Sequence, residues 1–295
     1  MTRSQLAPGV EMVSVPGHGL AVRTAAGDFL RVNPGDVPAE ALLDRLAGGP
    51  GTHGGTRLAT VVAQFEQAGY AGEDHGRDWP AALRDVWLLG DPAVTEPLTA
   101  HLRASGAEPR TVRPADLHPV TASPAVPPAA GHGRPAAVVW CLDGPVPEGL
   151  WDAADRLPER GAAWLRCHRE GWLGWIEPLA VSAGDPTSAH VRARRLAATP
   201  AHRELAAYWQ GARTTGHPAR PSTAAYGLLA ALLAADLTEW AAPHSATDAP
   251  DGPLDADTPL PANRRLRRID LRRLTVTEHP VLPVPPVAPL PRPTT

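Results

Sequence analysis

The 295-residue chain carries 28 basic and 31 acidic side chains, a formal charge of −3, so no net field draws it to nucleic acid or to an anionic lipid surface. Its 35 prolines and 27 glycines lie below the share at which a chain reads as disordered, and 43% hydrophobic residues support a sizeable core in about two domains. Two cysteines, Cys141 and Cys167, exclude a disulfide framework and a cysteine-built zinc site and imply a reducing compartment.

Every one of the 28 basic residues is arginine, which matches a codon bias toward Arg, Ala, Pro and Gly. No lysine is available for a Schiff base or a P-loop. The first twelve residues lack the apolar core of a signal peptide. The longest apolar stretch, residues 223–235, is followed by Asp236 and Glu239 and falls short of the ~20 residues that a membrane span needs. A soluble cytoplasmic protein is expected.

In chain order, residues 11–15, 20–24 and 29–33 are short β-prone runs separated by glycine turns, the spacing of a three-stranded meander. Asp36 and Pro38 start a helix whose Ala41, Leu42 and Leu46 share a face. Leu58, Val61, Val62 and Phe65 give residues 56–68 a second helix. Three strands and two helices in residues 1–80 predict a winged-helix-like domain. Residues 72–80 read as a polar linker.

From residue 81 the pattern changes. Residues 86–90, 136–142 and 162–167 read as buried strands, and residues 94–105 and 150–160 as helices between them. That alternation predicts a parallel sheet with crossover helices. Residues 109–135 form a proline-rich loop with a short strand at 111–113. Helices follow at 188–198, at 200–210 with Pro200 in the first position, and at 222–240 capped by Ser222. Residues 243–261 form a polar loop. Residues 266–276 form one basic strand, read as a solvated edge, and residues 280–293 a polyproline II tail.

Chemical motifs are sparse. Gly90-Asp91-Pro92 stands where a dinucleotide fingerprint would lie, but proline removes a donor and the further glycines are missing. His168 and Glu170 form H-x-E without the P-C-x-x-C partner of a zinc deaminase, so a surface loop is the expectation there. No other metal-ligand spacing and no nucleophile elbow occurs; no catalytic and no metal-binding residue is assigned. The strand at 29–33 beside the helix at 56–68 reads as a peptide groove. A bound segment would add to Phe29, Leu30, Arg31, Val32 and Asn33, with Arg57, Thr60 and Gln64 facing it from the helix.

In order, these segments resemble a family: the E1/ThiF-like (ocin-ThiF-like, cyclodehydratase C-type) proteins that partner YcaO enzymes in making azoline-containing peptides. The resemblance rests on G-D-F-L-R-V-N-P-G at 27–35, A-L-L-D-R-L-A-G-G at 41–49, G-W-L-G-W-I-E-P-L at 171–179 and R-R-I-D-L-R-R-L-T-V-T-E-H-P-V-L at 267–282. It implies an α/β chain: an N-terminal winged-helix-like leader-peptide recognition element (1–80), then a degenerate Rossmann-like ThiF/E1-like domain with a Pro-rich tail (81–295). It also implies a subunit without activity of its own, which binds a precursor leader and presents it to a YcaO-type cyclodehydratase. A homodimer is implied by fold analogy.

Two departures bear on cofactors. Residues 185–189 and 283–293 stand where the family has cysteine pairs, and the glycine-rich ATP turn is absent. Neither zinc nor ATP is therefore expected. Two other readings stay open: an active E1-like adenylating enzyme, and a winged-helix regulator. Against the regulator, residues 1–80 hold only Arg3, Arg23, Arg31, Arg45 and Arg57, with Arg77 in the linker.

Overall fold

Glycine turns between short β-prone runs produce an antiparallel meander of β2 (Glu11–Val15), β3 (Gly19–Arg23) and β4 (Phe29–Val32), in the order β2-β3-β4. Before it, β1 (Ser4–Leu6) pairs antiparallel with β5 (Ala71–Glu73). The computed structural model describes residues 4–49, 55–73, 79–117, 134–211, 215–242 and 260–284. Its contacts divide the chain into two units, 1–76 and 77–295.

In the first unit, α1 (Ala39–Leu46) and α2 (Thr56–Gln67) bury Leu42, Leu46, Leu58, Val62 and Phe65 against Leu20 and Val22. The stretch read as a linker is structured at both ends. Residues 71–73 are strand, and Trp79 is buried in the core of the second unit with its indole N–H donating to the Leu83 carbonyl. A three-residue strand is too short for periodicity to reveal.

The second unit is built on a seven-stranded sheet, β12-β11-β10-β9-β8-β6-β7. Strands β6 (Asp85–Gly90), β7 (Glu108–Thr111), β8 (Ala137–Leu142) and β9 (Ala163–Glu170) are parallel. Strands β10 (Leu173–Ile176), β11 (Arg265–Asp270) and β12 (Thr275–Pro280) continue antiparallel, so the expected parallel sheet is four of its seven strands. Helices α3 (Pro92–Ala104) and α6 (Thr223–Ala241) contribute Leu98, Leu102, Leu229 and Leu233 to the core on one face. On the other face Trp87, Val138, Trp140 and Trp164 pack with Trp151, Ala154 and Leu157.

Several expectations change here. Residues 150–160 are not an α-helix but turns with two 3-10 segments, Ala154–Arg156 and Pro158–Arg160. Of their buried residues, Trp151, Ala154, Leu157 and Arg160 recur every third position, the period of a 3-10 helix, and Pro158 is buried beside them. After α4 (Ser188–Ala197), helix α5 runs His202–Trp209, so it starts two residues later than Pro200. The short strand lies at 108–111 rather than 111–113. Residues 118–133, 243–259 and 285–295, which include most of the proline-rich loop, the polar loop and the tail, lie outside the described residues.

The segment 266–276 is a hairpin, not one strand, and β11 is interior rather than an edge. Arg265 and Arg267 are buried because Asp236 on α6 takes a hydrogen bond from each, while Glu278 on β12 accepts from Arg267 Nε at 2.9 Å. Arg268, which alternates with them, is exposed. Removing one partner of a buried ion cluster leaves charge uncompensated. Asp236→Ala should therefore lower unfolding free energy in urea by about 3–5 kcal/mol, the range for breaking a buried pair; an unchanged midpoint would show that the cluster contributes nothing.

Candidate functional site

Three places carry polar groups or unpaired backbone able to meet a ligand. The first is the outer edge of β4. The Thr24 N–H donates to the Asp28 carbonyl at 2.8 Å, and antiparallel alternation then makes Val22/Leu30 and Leu20/Val32 the hydrogen-bonded pairs. The N–H and C=O groups of Phe29 and Arg31 consequently face away from β3. Phe29 is 63% exposed and Leu30 43% exposed, and Arg31 is exposed, while Val32 packs on the core.

Of the other residues assigned to peptide binding, Asn33 lies just past the strand, where its side chain accepts from the Gly35 N–H. Arg57 pairs with Asp36 at 2.8 Å on the wall of a cavity of about 430 Å³ that also includes Pro38, Ala41 and Leu58. The structure thus brings Arg57 to the loop that follows β4. Thr60 donates to the Thr56 carbonyl within α2, and Gln64 is exposed further along the helix.

The second place is the carboxyl end of the parallel strands, where the strand order reverses between β6 and β8, the usual ligand crevice of such sheets. Gly90 has φ +106°, and a Cβ there would lie 1.6 Å from the Cys141 carbonyl oxygen, so the turn lies hard against β8. The Asp91 N–H donates to that carbonyl, and the Asp91 carboxylate caps α3 through the Ala93 N–H. A carboxylate therefore stands where a phosphate would meet the helix end. Across the crevice, Arg169 and the Tyr226 hydroxyl both donate to Asp143, and the Arg169 hydrogen bond lowers the Asp143 pKa.

At the first of the two stretches read as replacing a zinc ligand set, 185–189, the one carboxylate is already committed to protein donors. The Asp185 carboxylate accepts from Val181 N, Ser182 N, Ser182 Oγ, Asn263 and Arg264, at 2.7–3.2 Å. Among the described residues, no group of three or more His, Cys, Asp or Glu side chains could hold a metal ion. Residues 283–284 are described and the remainder of the tail is not.

The third place went unseen in the sequence. Strand β9 alternates Trp164, Arg166, His168 and Glu170 toward one face, so H-x-E lies in a buried strand rather than a surface loop. Arg166 is wholly buried. It donates to Asp155 at 2.8 Å and to the carbonyls of Pro178 and Pro186, and its Nε lies 3.1 Å from Glu177. Glu170 accepts from Arg195 and from the Trp209 indole N–H, and Arg195 also stacks 3.8 Å over Trp175. His168 lies 3.4 Å from Glu170 and 3.8 Å from Glu177. Burial raises the Glu177 pKa although Arg166 and His168 oppose it. Burial also pushes Glu170 up, but hydrogen bonds from His168 and Arg195 outweigh it and hold the carboxyl far below its usual range.

No protein-family model matches the chain, and no curated protein matches it. Solved structures do. The chain resembles a heterocyclase solved with substrate and cofactor (TM-score 0.62, 15% identity, covering 96% of this chain and 39% of that one). It also resembles the heterocyclase TruD (TM-score 0.63, 16% identity, 97% and 42%). A third likeness is to E. coli MccB solved with succinimide (TM-score 0.57, 11% identity, 97% and 98%). This chain spans about two-fifths of the length of the two heterocyclases. The E1/ThiF-like resemblance read from the sequence is matched in fold. No helix among the described residues is long and apolar enough to cross a membrane.

Because the Glu170 pKa is depressed on folding, its stabilisation is present above the ordinary carboxylate pKa and is lost as pH falls toward the folded value. Glu170→Gln should therefore be less stable than the parent at neutral pH, with the difference shrinking below about pH 4. Urea titrations at several pH values measure this; a constant difference would mean that the Glu170 charge is not what Arg195 stabilises.

Proposed function

We propose that the chain is a non-catalytic accessory subunit that binds the leader of a ribosomal precursor peptide and presents it to a YcaO-type cyclodehydratase for azoline formation. The observation that carries this reading is the open, apolar edge of β4. An extended leader adds to the outward N–H and C=O groups of Phe29 and Arg31, with its side chains resting on Phe29 and Leu30. Val32, Asn33 and Arg57 lie at the end of that edge, and Thr60 and Gln64 on α2 are further contacts in this reading. On this reading the first unit serves as the winged-helix-like recognition element. The second serves as the degenerate ThiF/E1-like body on which the cyclodehydratase docks. The fold shared with the heterocyclases and MccB supports the assignment.

The Gly90 turn supports a body without its own ATP site, since the Asp91 carboxylate already accepts the Ala93 N–H at the start of α3. The five donors on Asp185 support a body without zinc at that loop. The competing E1-like adenylating reading needs nucleotide affinity, so calorimetry with Mg-ATP should give no binding heat.

For the strand edge, Arg31→Pro is the decisive variant. It deletes an outward donor yet leaves the ladder to β3 intact, and proline is tolerated on an edge strand. Leu30→Pro would instead break a bond to Val22 inside the sheet. Fluorescence polarisation with a labelled leader should show Arg31→Pro weakening binding by about tenfold or more, and Arg31→Ala by much less. Undiminished affinity in the proline variant would rule out strand addition at β4.

A further inference from the structure

Beside the buried row on β9 lies a cavity of about 370 Å³, between the segment 146–152 and the face of α4 bearing Ser188, Arg192 and Arg195. Trp151, His168 and Glu177 line it, each more than nine-tenths buried. His168 Nδ1 makes no hydrogen bond among the described residues, and Glu177 Oε2 has only the ion-pair contact with Arg166 Nε at 3.1 Å. Buried polar atoms rarely go unpaired unless a water or ligand completes them.

The charges around the cavity are unequal. Glu148 and Asp152 at its mouth are exposed and have no ion-pair partner among the described residues. Arg195 is already held by Glu170 and stacked on Trp175. That leaves Arg192, whose guanidinium lies 4.9 Å over the Trp209 ring. Around the cavity five carboxyl groups, Glu148, Asp152, Asp155, Glu170 and Glu177, thus meet three guanidiniums, Arg166, Arg192 and Arg195, of which Arg166 is shared by Asp155 and Glu177 and Arg192 has no carboxylate partner among the described residues; Trp151 and Trp209 supply indole walls. Carboxylates beside aromatic rings hold organic cations through charge and the ring quadrupole.

We infer that this cavity binds an organic cation, an alkylammonium or guanidinium group, presented as a free amine or as a Lys or Arg side chain of a bound peptide. The head group reaches Glu177 and His168 on the floor, and the mouth carboxylates Glu148 and Asp152 draw it in. The site lies within the second unit, and its occupancy does not depend on the β4 edge.

The test uses the full chain, with calorimetry and indole fluorescence as readouts. The probes are n-butylammonium chloride, neutral n-butanol, anionic butyrate, and a lysine-containing tripeptide beside its norleucine counterpart. Butylammonium should bind and change the fluorescence, and butanol and butyrate should not. Glu148→Gln with Asp152→Asn, both exposed, should keep the circular dichroism spectrum and weaken binding by about tenfold. Glu177→Gln should weaken it at least as much. Tighter binding of the lysine tripeptide than of butylammonium would assign the cation to a peptide, and equal binding to a free amine. Neither heat nor fluorescence change up to about 10 mM amine would overturn the assignment. So would preferential binding of butyrate, or a mouth double variant that binds like the parent. Arg31→Pro should leave amine binding unchanged, so failure of leader addition at β4 and failure of this site are told apart.

Discussion

A guanidinium that no water reaches must find its hydrogen bonds inside the protein, and Arg166 is in that position. Its donors go to Asp155, to the carbonyls of Pro178 and Pro186, and toward Glu177. Asp155 in turn accepts from the Trp164 indole N–H and the Ser188 N–H. One side chain therefore ties the 3-10 segments, the middle of β9, the exit of β10 and the first turn of α4. Burying the charge costs several kcal/mol, which is recovered only when all these partners converge. That demand sets where α4 begins, and with it the cavity that Arg192 and Arg195 line.

The two units settle the same backbone accounting in opposite ways. Every N–H and C=O needs a partner or water. At β4 the sheet simply stops, and the outward groups of Phe29 and Arg31 are left for whatever strand arrives. At Gly90 the turn closes on itself: the Asp91 N–H goes to Cys141, and the Asp91 carboxylate caps α3. An open edge suits an extended peptide, and a self-capped helix end suits no anion. The first unit thus keeps a strand edge with outward backbone groups, and the second a closed turn with a cavity elsewhere on its sheet.

Much of the architecture was legible because it is local. The meander, α2, β6, α3 and the Ser222-capped α6 follow from alternation, helical spacing and turn residues, and they lie within a residue or two of where those patterns put them. The exposed run at Phe29 was legible for the same reason. The buried row was not. Trp164, Arg166, His168 and Glu170 alternate strictly between Gly161 and Gly171, but an alternation of polar residues reads as a solvated face unless the groups that satisfy it are known. The 3-10 segments were missed because each is only three residues long, too short for a spacing of three to be told from one of 3.6.

The sequence by itself determined that the chain folds as an α/β protein after a small meander, that it has no cysteine framework, and that its first βα turn lacks the glycines of a phosphate cradle. These properties depend on composition and on neighbours a few residues apart. Only the tertiary structure decided which arginines are interior. Arg265 and Arg267 meet Asp236 about thirty positions away, and Arg195 meets Glu170 across 25. No spacing rule reports such partners. A charge becomes buriable only once the fold delivers its counter-charge, so the same arginine pattern reads as surface in one dimension and forms the interior of the sheet in three.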